Sequence, residues 1–346
     1  MEEIPHIKKL RISRIIVETD DAKTFVLEPL EDWKPSYHAG QFLTLVFYTK
    51  HGEKRRSYSI SSSPELGEPL SITVKKVSNG EFSRLLVHYA QEGDILYTSG
   101  INGLFSLPEK AQETEQYFFL AAGSGITPCF SLIKTVLETT KSKIILIYSN
   151  KSENDTIFCE QLKMLESQHE DRFTIRFLFS DIFDIYQRRL SKWLLDKFLD
   201  EYLLSNGDST LFYICGPFEY MQMITITLLI RVPAQHIFKE NFDSLPRVHK
   251  LRPPDTEAHV VTIHFHGKIH QLNVQYPKSI LSVAKANNLG LPYSCEAGRC
   301  GSCVATCTSG KVWMAYNEVL TEEEVKKGRV LVCQSYPIDG NAEIKF

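Results

Sequence analysis

The chain has 346 residues, more than one ordinary domain needs, so two or three domains are expected. Hydrophobic residues make up 43% and charged residues 23% of the sequence, as in a globular protein that folds in water. The formal net charge is −3, which argues against a nucleic-acid-binding protein because such proteins carry an excess of Lys and Arg.

The compartment can be inferred from the cysteines and the apolar segments. The eight cysteines show no disulfide-framework spacing, which favours a reducing environment, and the first ten residues lack the apolar core of a signal peptide. The most apolar run, from Tyr117 to Ile133, contains Gly123, Gly125 and Pro128. It therefore predicts a buried strand, a loop and a helix rather than a membrane span. We expect a cytoplasmic protein.

Short β-type runs separated by turn residues fill the chain from Leu10 to Leu107. The predicted strands cover residues 11–19, 24–28, 42–48, 56–61, 70–77 and 94–98. Closely spaced strands without a long helical pattern predict a small antiparallel β-barrel, and we assign residues 1–110 to this domain.

Two segments of the predicted barrel could hold an anionic, planar ligand. In the first, Arg56-Ser57-Tyr58-Ser59, alternation along a strand places Arg56 and Tyr58 on one face, where a guanidinium and a ring suit a phosphate beside a flat group. Taken alone, this segment is equally an ordinary strand. In the second, a strand runs through a turn at Gly80 into a predicted helix at 83–88, with Ser83 as its predicted cap. The N-terminus of such a helix attracts anions.

Strands and helices alternate in the next region, which we assign to residues 111–245. Strands are predicted at 117–121, 143–149, 173–179 and 210–215, and helices at 129–139, 156–169 and 190–203. This alternation predicts a parallel, doubly wound sheet.

Two motifs of this α/β region point to a nucleotide. Gly123-Ser-Gly125-Ile-Thr127-Pro128 lies between a strand and a helix, where backbone N–H groups can hold a pyrophosphate. Cys215-Gly216-Pro217 ends the last predicted strand, and open α/β sheets bind ligands beyond the carboxyl ends of their strands. Without that neighbourhood, Cys215 would be interpreted as a small buried hydrophobe.

The choice between NADH and NADPH stays open. The second strand of the predicted sheet ends without the acidic residue that would bind a ribose 2′-hydroxyl, which favours NADPH with Lys151, Arg188 or Arg189 near the 2′-phosphate. Asp181 argues against NADPH, since a carboxylate at that position would repel the phosphate.

The C-terminal part begins with a predicted extended linker at 246–257, which contains Pro253-Pro254. Residues 258–346 form the last predicted domain. A hairpin is predicted at 260–265 and 269–274, a helix at 279–287 with Ser279 as its cap, a short helix from Thr321, and strands at 330–333 and 342–346.

Four cysteines in this domain follow the plant-type [2Fe–2S] spacing, C-x4-C-x2-C and then, after 29 residues, a fourth Cys: Cys295, Cys300, Cys303 and Cys333. Gly298 and Gly301 let the loop curl around a cluster and let peptide N–H groups approach its sulfides. The alternatives are a zinc site or four buried structural cysteines. Zinc usually takes two C-x2-C pairs, and the second pair is missing here. Cys307 is predicted to be a non-ligand.

These motifs, in this order, resemble the ferredoxin–NADP reductase superfamily with a fused C-terminal plant-type ferredoxin of the β-grasp fold. The resemblance covers nearly the whole chain. The domain order is similar to that of reductase components of bacterial multicomponent oxygenases, in particular those of the phenylacetyl-CoA epoxidase type.

The resemblance implies roles for individual residues. The flavin ring and its phosphate would contact Arg56, Tyr58 and Ser59. The pyrophosphate of FAD would contact Gly80, Phe82 and Ser83, with Lys75 near the adenosine half. The nicotinamide nucleotide would contact Gly123, Gly125, Thr127, Pro128, Cys215, Gly216 and Pro217, with Thr127 and Cys215 at the catalytic position. Phe242 is a candidate to cover the flavin, although an ordinary core Phe is the alternative.

The implied activity is that of an NAD(P)H-dependent oxidoreductase. NAD(P)H donates an electron pair and a [2Fe–2S] cluster accepts single electrons, so a flavin is needed between them. FAD is favoured over FMN because the turn at 80–83 offers a second phosphate site, although phthalate-dioxygenase-type reductases share the domain order and use FMN. The expected acceptor is an oxygenase or desaturase docking near residues 296–302. The alternatives are a self-contained reductase of small acceptors and a non-catalytic redox sensor.

Overall fold

The computed structural model of the chain describes residues 7–50, 52–184, 186–204, 209–242 and 251–346. The chain divides into two compact units, Met1–Asn241 and Phe242–Phe346. Of the predicted linker at 246–257, residues 246–250 lie outside the described ranges. Within those ranges, no helix combines the length and the apolar character needed to cross a membrane.

The first unit begins with the expected antiparallel barrel. Its strands are β1 (Lys8–Thr19), β2 (Ala22–Pro29), β3 (Phe42–Thr49), β4 (Gly52–Ser59), β5 (Ser71–Lys75) and β6 (Ile95–Asn102), and helix α1 (Glu81–Tyr89) follows β5. The strand order is β4-β3-β6-β1-β2-β5. An antiparallel bridge between Ile60 and Ile72 joins the two outer strands and closes the sheet. Because side chains alternate along each strand, residues such as Phe25, Leu43 and Ile72 fill the barrel interior.

The same unit continues into a five-stranded sheet, β7 (Gln116–Ala122), β8 (Lys143–Asn150), β9 (Phe173–Phe179), β10 (Thr210–Cys215) and β11 (Ile237–Glu240). The order β11-β10-β7-β8-β9 is parallel throughout. The helices are α2 (Ile126–Thr139), α3 (Cys159–Gln168), α4 (Lys192–Tyr202) and α5 (Phe218–Leu228). Residues of α2 and α3 pack in one core cluster and those of α4 and α5 in another, which confirms the doubly wound sheet.

The second unit is a five-stranded mixed sheet with two helices. Its elements are β12 (His259–Phe265), β13 (Lys268–Val274), α6 (Ile280–Ala286), β14 (Val304–Met314), α7 (Glu322–Lys326), β15 (Arg329–Leu331) and β16 (Ser335–Lys345). The order β13-β12-β16-β14-β15, with only β12 and β16 parallel among the described pairs, confirms the β-grasp arrangement. Ser279 caps α6, since its Oγ accepts a 3.3 Å bond from the Ser282 N–H, and Thr321 forms a capping box with Glu324.

Candidate functional site

The two barrel segments singled out in the sequence lie together in the fold. The exposed Arg56 on β4 places its guanidinium carbon 5.2 Å from the centre of the Phe82 ring on α1. The Phe82 ring in turn stacks on Phe47 of β3, with 4.2 Å between centroids. The half-buried ring of Tyr58 follows Arg56 at the next position on the same face. This face therefore offers a cation, an aromatic side chain and the start of a helix, a set of groups that fits a flavin nucleotide.

The prediction that Ser83 caps the helix is wrong. Gly80 is the N-cap, so Ser83 is the third residue of α1, and its Oγ accepts a 3.1 Å hydrogen bond from the Val77 N–H. Glycine serves as an N-cap without a side-chain bond, and a Cβ on Gly80 would lie 2.5 Å from the Ser83 oxygen. Lys75, predicted near the adenosine, pairs with the Asp21 carboxylate at 3.6 Å.

A buried acid, Glu240, reaches β4 from the neighbouring sheet. Because the β4 face fits a flavin nucleotide, we call β4 the flavin strand. The Ser59 hydroxyl donates a 3.2 Å hydrogen bond to Glu240 Oε2, and both side chains are buried. Burial raises the pKa of Glu240 to about 8, so the carboxyl group is mostly protonated at neutral pH. Glu240 also lies beside Cys215 in the parallel pairing of β10 with β11. Burial raises the pKa of the Cys215 thiol well above its ordinary value, and the nearby Glu240 raises it further.

Sequence reasoning missed Glu240. A strand as short as Ile237–Glu240 gives little periodic signal, so the sequence pattern does not predict β11. One feature of the sequence could have identified Glu240. This acid follows the aromatic Phe238 at a position where a last parallel strand could end. Open α/β sheets bind ligands at the edge formed by the carboxyl ends of their strands, which we call the ligand edge.

The glycine loop and the C-G-P motif contact each other. A Cβ on Gly125 would lie 2.1 Å from the carbonyl oxygen of Cys215, so only glycine permits this approach. Thr127 is buried, and its hydroxyl donates a 2.9 Å bond to the Ser124 carbonyl. Pro128 occupies the first turn of α2, where its missing N–H costs nothing. The catalytic roles of Thr127 and Cys215 stay predictions.

Replacing Gly125 by Ala is expected to destabilise the first unit by about 3 kcal/mol and to abolish nucleotide binding, since the backbone must shift to admit the methyl group. Thermal unfolding and titration with NADH and NADPH measure the two effects. Ser124→Ala, in the same loop, adds no atoms and serves as the control. A Gly125→Ala protein with wild-type unfolding temperature and affinity would show that the close approach is dispensable.

The four motif cysteines are arranged as two pairs of sulfurs. The Cys295 and Cys300 thiols are hydrogen-bonded to each other, as are those of Cys303 and Cys333. Among the described residues, the only group of at least three His, Cys, Asp or Glu ligand atoms mutually within 4.8 Å is Glu153, Cys159 and Glu160. A single zinc ion with sulfur at about 2.3 Å would need four sulfurs about 3.8 Å apart, so the pairs fit two irons better than one zinc.

The cluster loop supplies backbone donors as well as sulfur. The Cys300 thiol and the N–H groups of Ala297 and Arg299 are among the groups that lower the pKa of Cys295 to about 6. Gly298 has φ +74°, and a Cβ there would lie 2.8 Å from the Tyr316 carbonyl oxygen. The donors around Cys295 favour its thiolate form. The hydrogen bonds with Cys295 and Cys303 raise the pKa values of their partners, Cys300 and Cys333.

Three family models match the chain. An oxidoreductase FAD-binding domain matches residues 9–107, an oxidoreductase NAD-binding domain residues 119–225, and a 2Fe-2S iron-sulfur cluster binding domain residues 263–337. The three matches fall on the barrel, the parallel sheet and the β-grasp unit, in the order that the motifs predict.

Curated relatives match over the full length. The ferredoxin reductase component of 3-ketosteroid-9-alpha-monooxygenase from Mycobacterium tuberculosis is 32% identical, over 99% of this chain and 96% of its own. A component of the 1,2-phenylacetyl-CoA epoxidase from Escherichia coli is 31% identical over 97% of each chain. The structure of phthalate dioxygenase reductase, at 22% identity, shares the fold with a TM-score of 0.61 over 98% of both chains.

Proposed function

Because this chain belongs to the family of oxygenase reductase components with FAD-binding, NAD-binding and [2Fe–2S] domains, we propose that it delivers electrons from NAD(P)H to a partner oxygenase in the cytoplasm. The chain is an oxidoreductase with an FAD-binding, an NAD-binding and a [2Fe–2S] domain, which together provide a path for electrons from NAD(P)H through a flavin to the cluster. The oxygenase as acceptor rests on the full-length match to reductase components of oxygenases. The structural observation that supports the flavin-to-nucleotide step is the Ser59–Glu240 hydrogen bond, which joins the flavin strand to the ligand edge of the nucleotide sheet.

Each set of residues has a distinct task in this proposal. Arg56 would pair with the flavin phosphate and Tyr58 would pack against the ring. The buried Ser59 and the protonated Glu240 would hold a proton at the end of β4. Thr127 and Cys215 line the position of the nicotinamide. The bound flavin supplies the conversion of an electron pair into single electrons.

The partner is proposed to dock on the cluster loop at 296–302. Cys295 and Cys300 are partly exposed, whereas Cys303 and Cys333 are buried, so one side of the loop is nearer the solvent. Glu296, next to Cys295, pairs with Lys285 at 2.8 Å. This ion pair gives the partner a polar surface beside the cluster loop. Since three full-length relatives are named as components of monooxygenases or of an epoxidase, an oxygenase is a better-supported partner than a desaturase.

The test uses protein reconstituted anaerobically with iron, sulfide and flavin. About two irons and one flavin per chain are expected. NADH or NADPH should bleach the flavin and cluster bands, and the reduced protein should reduce an added oxygenase component of the ketosteroid or epoxidase type. Rapid turnover on small acceptors without transfer to any oxygenase would favour the self-contained reductase. A flavin that neither nucleotide bleaches would favour the redox sensor.

The flavin is proposed to be FAD rather than FMN, because the helix start at Gly80 lies beside the Arg56 face and offers a place for a second phosphate. Heat release of the flavin and chromatography against FAD and FMN standards measure its identity. Recovery of FMN alone from protein offered both flavins would contradict the proposal.

A further inference from the structure

A polar contact that includes none of the predicted cofactor-binding residues joins the flavin barrel to the nucleotide sheet. It is made by residues 61–68, which follow β4, and by helix α2, and we call it the 61–68/α2 contact. The Ser131 hydroxyl donates a 2.7 Å bond to the Ser62 carbonyl, and the Thr135 and Ser63 hydroxyls are 2.8 Å apart. The Thr135 hydroxyl also lies 3.2 Å from a Glu65 carboxylate oxygen.

An ion pair extends the same contact. Lys134 on α2 pairs with Glu68, whose carboxylate also accepts a 2.7 Å bond from the Ser63 N–H. Lys134 is only 8% exposed, and burial lowers the pKa of its ammonium group while Glu68 opposes that shift. The ammonium group lies 4.5 Å from the centre of the Phe130 ring, so it has a carboxylate and an aromatic face as partners.

Burial makes this contact specific to one arrangement. Ser63 and Ser131 are fully buried, and Thr135 is 4% exposed. A buried hydroxyl group that loses its hydrogen-bond partner destabilises the fold, so sliding α2 along the barrel would be opposed by several groups at once. An apolar contact of the same area would tolerate small shifts more easily, since it has no directional bonds.

The contact is also close in sequence to both halves of the candidate site. Residue 61 is two positions after Ser59, which ends the flavin strand. Ser131 and Thr135 are four and eight positions after Thr127, one and two turns along the same face of α2. Any displacement at the contact is therefore passed through one strand end and one helix to the groups that face the flavin and the nicotinamide.

We propose that Ser131, Lys134 and Thr135 are positioning residues, which set the approach of the nicotinamide to the flavin by fixing α2 against residues 61–68. This inference rests on the proposed function for its chemistry. It assigns none of the three a contact with substrate or cofactor.

The test compares three substitutions on α2 of the flavin-loaded protein. Thr135→Val removes the hydroxyl without changing the shape of the side chain, Thr135→Ser keeps the hydroxyl, and Thr139→Val makes the same change one turn later at an exposed position. With NADPH or NADH in rapid mixing, Thr135→Val should slow flavin bleaching at saturating nucleotide about tenfold, because misplaced reacting groups lose rate. Nucleotide affinity should change less than about twofold, and Thr135→Ser and Thr139→Val should match the wild type.

A second readout does not depend on turnover. Hydrogen exchange of residues 61–68 and of α2 should accelerate about tenfold in Thr135→Val alone, with the rest of the first unit unchanged. Faster exchange with a wild-type bleaching rate would overturn the positioning role, as would a loss of affinity equal to the loss of rate. If Thr135→Val does not fold, Ser131→Ala is held to the same expectations. Failure of both nucleotides to bleach the wild type would defeat the proposed function instead, leaving the exchange result to decide the contact.

Discussion

Replacing Cys333 by Ser is expected to abolish electron transfer to protein acceptors while flavin reduction by NAD(P)H continues. Cys333 is paired with Cys303, so the substitution removes one of the two protein sulfurs assigned to one iron. Iron should fall from about two per chain to near zero, and transfer to an oxygenase should fall at least about 100-fold. Iron analysis measures the iron content, reduction of an added oxygenase component measures the transfer rate, and bleaching of the flavin band in the visible spectrum measures flavin reduction.

Cys307→Ser provides the matched control. Cys307 lies on β14, four residues after Cys303, and its thiol is 3.3 Å from the Ser309 carbonyl oxygen. Its substitution should leave iron content and electron transfer unchanged. Iron loss in Cys307→Ser, or retention of both irons in Cys333→Ser, would show that the ligand set is wrong.

Glu240→Gln is expected to remove most of a large pH dependence of stability. The folded pKa of Glu240 is about 8 against an ordinary value of 4.5, so the folded chain binds this proton more tightly than the unfolded chain. The resulting stabilisation is complete below pH 4.5 and is lost as pH rises through 8. The difference corresponds to at most about 5 kcal/mol at 1.36 kcal/mol per pKa unit. Glutamine can still accept the Ser59 bond but carries no proton to lose.

The measurement is denaturant unfolding between pH 5 and pH 9 at a fixed, saturating flavin concentration. The wild type should lose several kcal/mol over this range relative to Glu240→Gln. Glu219→Gln, an exposed Glu-to-Gln change on α5, is the control and should follow the wild type. Parallel pH profiles for the wild type and Glu240→Gln would mean that this carboxyl group does not titrate as its burial requires.

The parts of the site formed by neighbours in sequence could be predicted from the sequence. Three of the four cluster cysteines lie within one loop, and Gly125 lies between a strand and a helix, so spacing alone identifies both motifs. Local sequence rules do not identify the N-cap of α1, since both Gly80 and Ser83 suit that position. In the fold Gly80 is the N-cap, and the Ser83 hydroxyl accepts a hydrogen bond from the Val77 N–H instead.

The parts that depend on distant pairing could not be predicted. Glu240 matters because β11 pairs with β10 beside Cys215, and no local pattern specifies that register. Helix α5 was missed for another reason, because its mixture of β-branched and apolar residues gives no clear polar face. The 61–68/α2 contact likewise joins residues about 70 positions apart, such as Ser63 and Thr135.

The Ser59–Glu240 bond also has a consequence for biosynthesis. Its partners are 181 residues apart, and the acceptor lies in the last strand of the first unit. During translation, every strand of the barrel therefore leaves the ribosome long before Glu240, the residue that completes this hydrogen bond. Until then the Ser59 hydroxyl has no carboxyl partner, so we expect any flavin retention that depends on this bond to arise only after β11 has paired with β10.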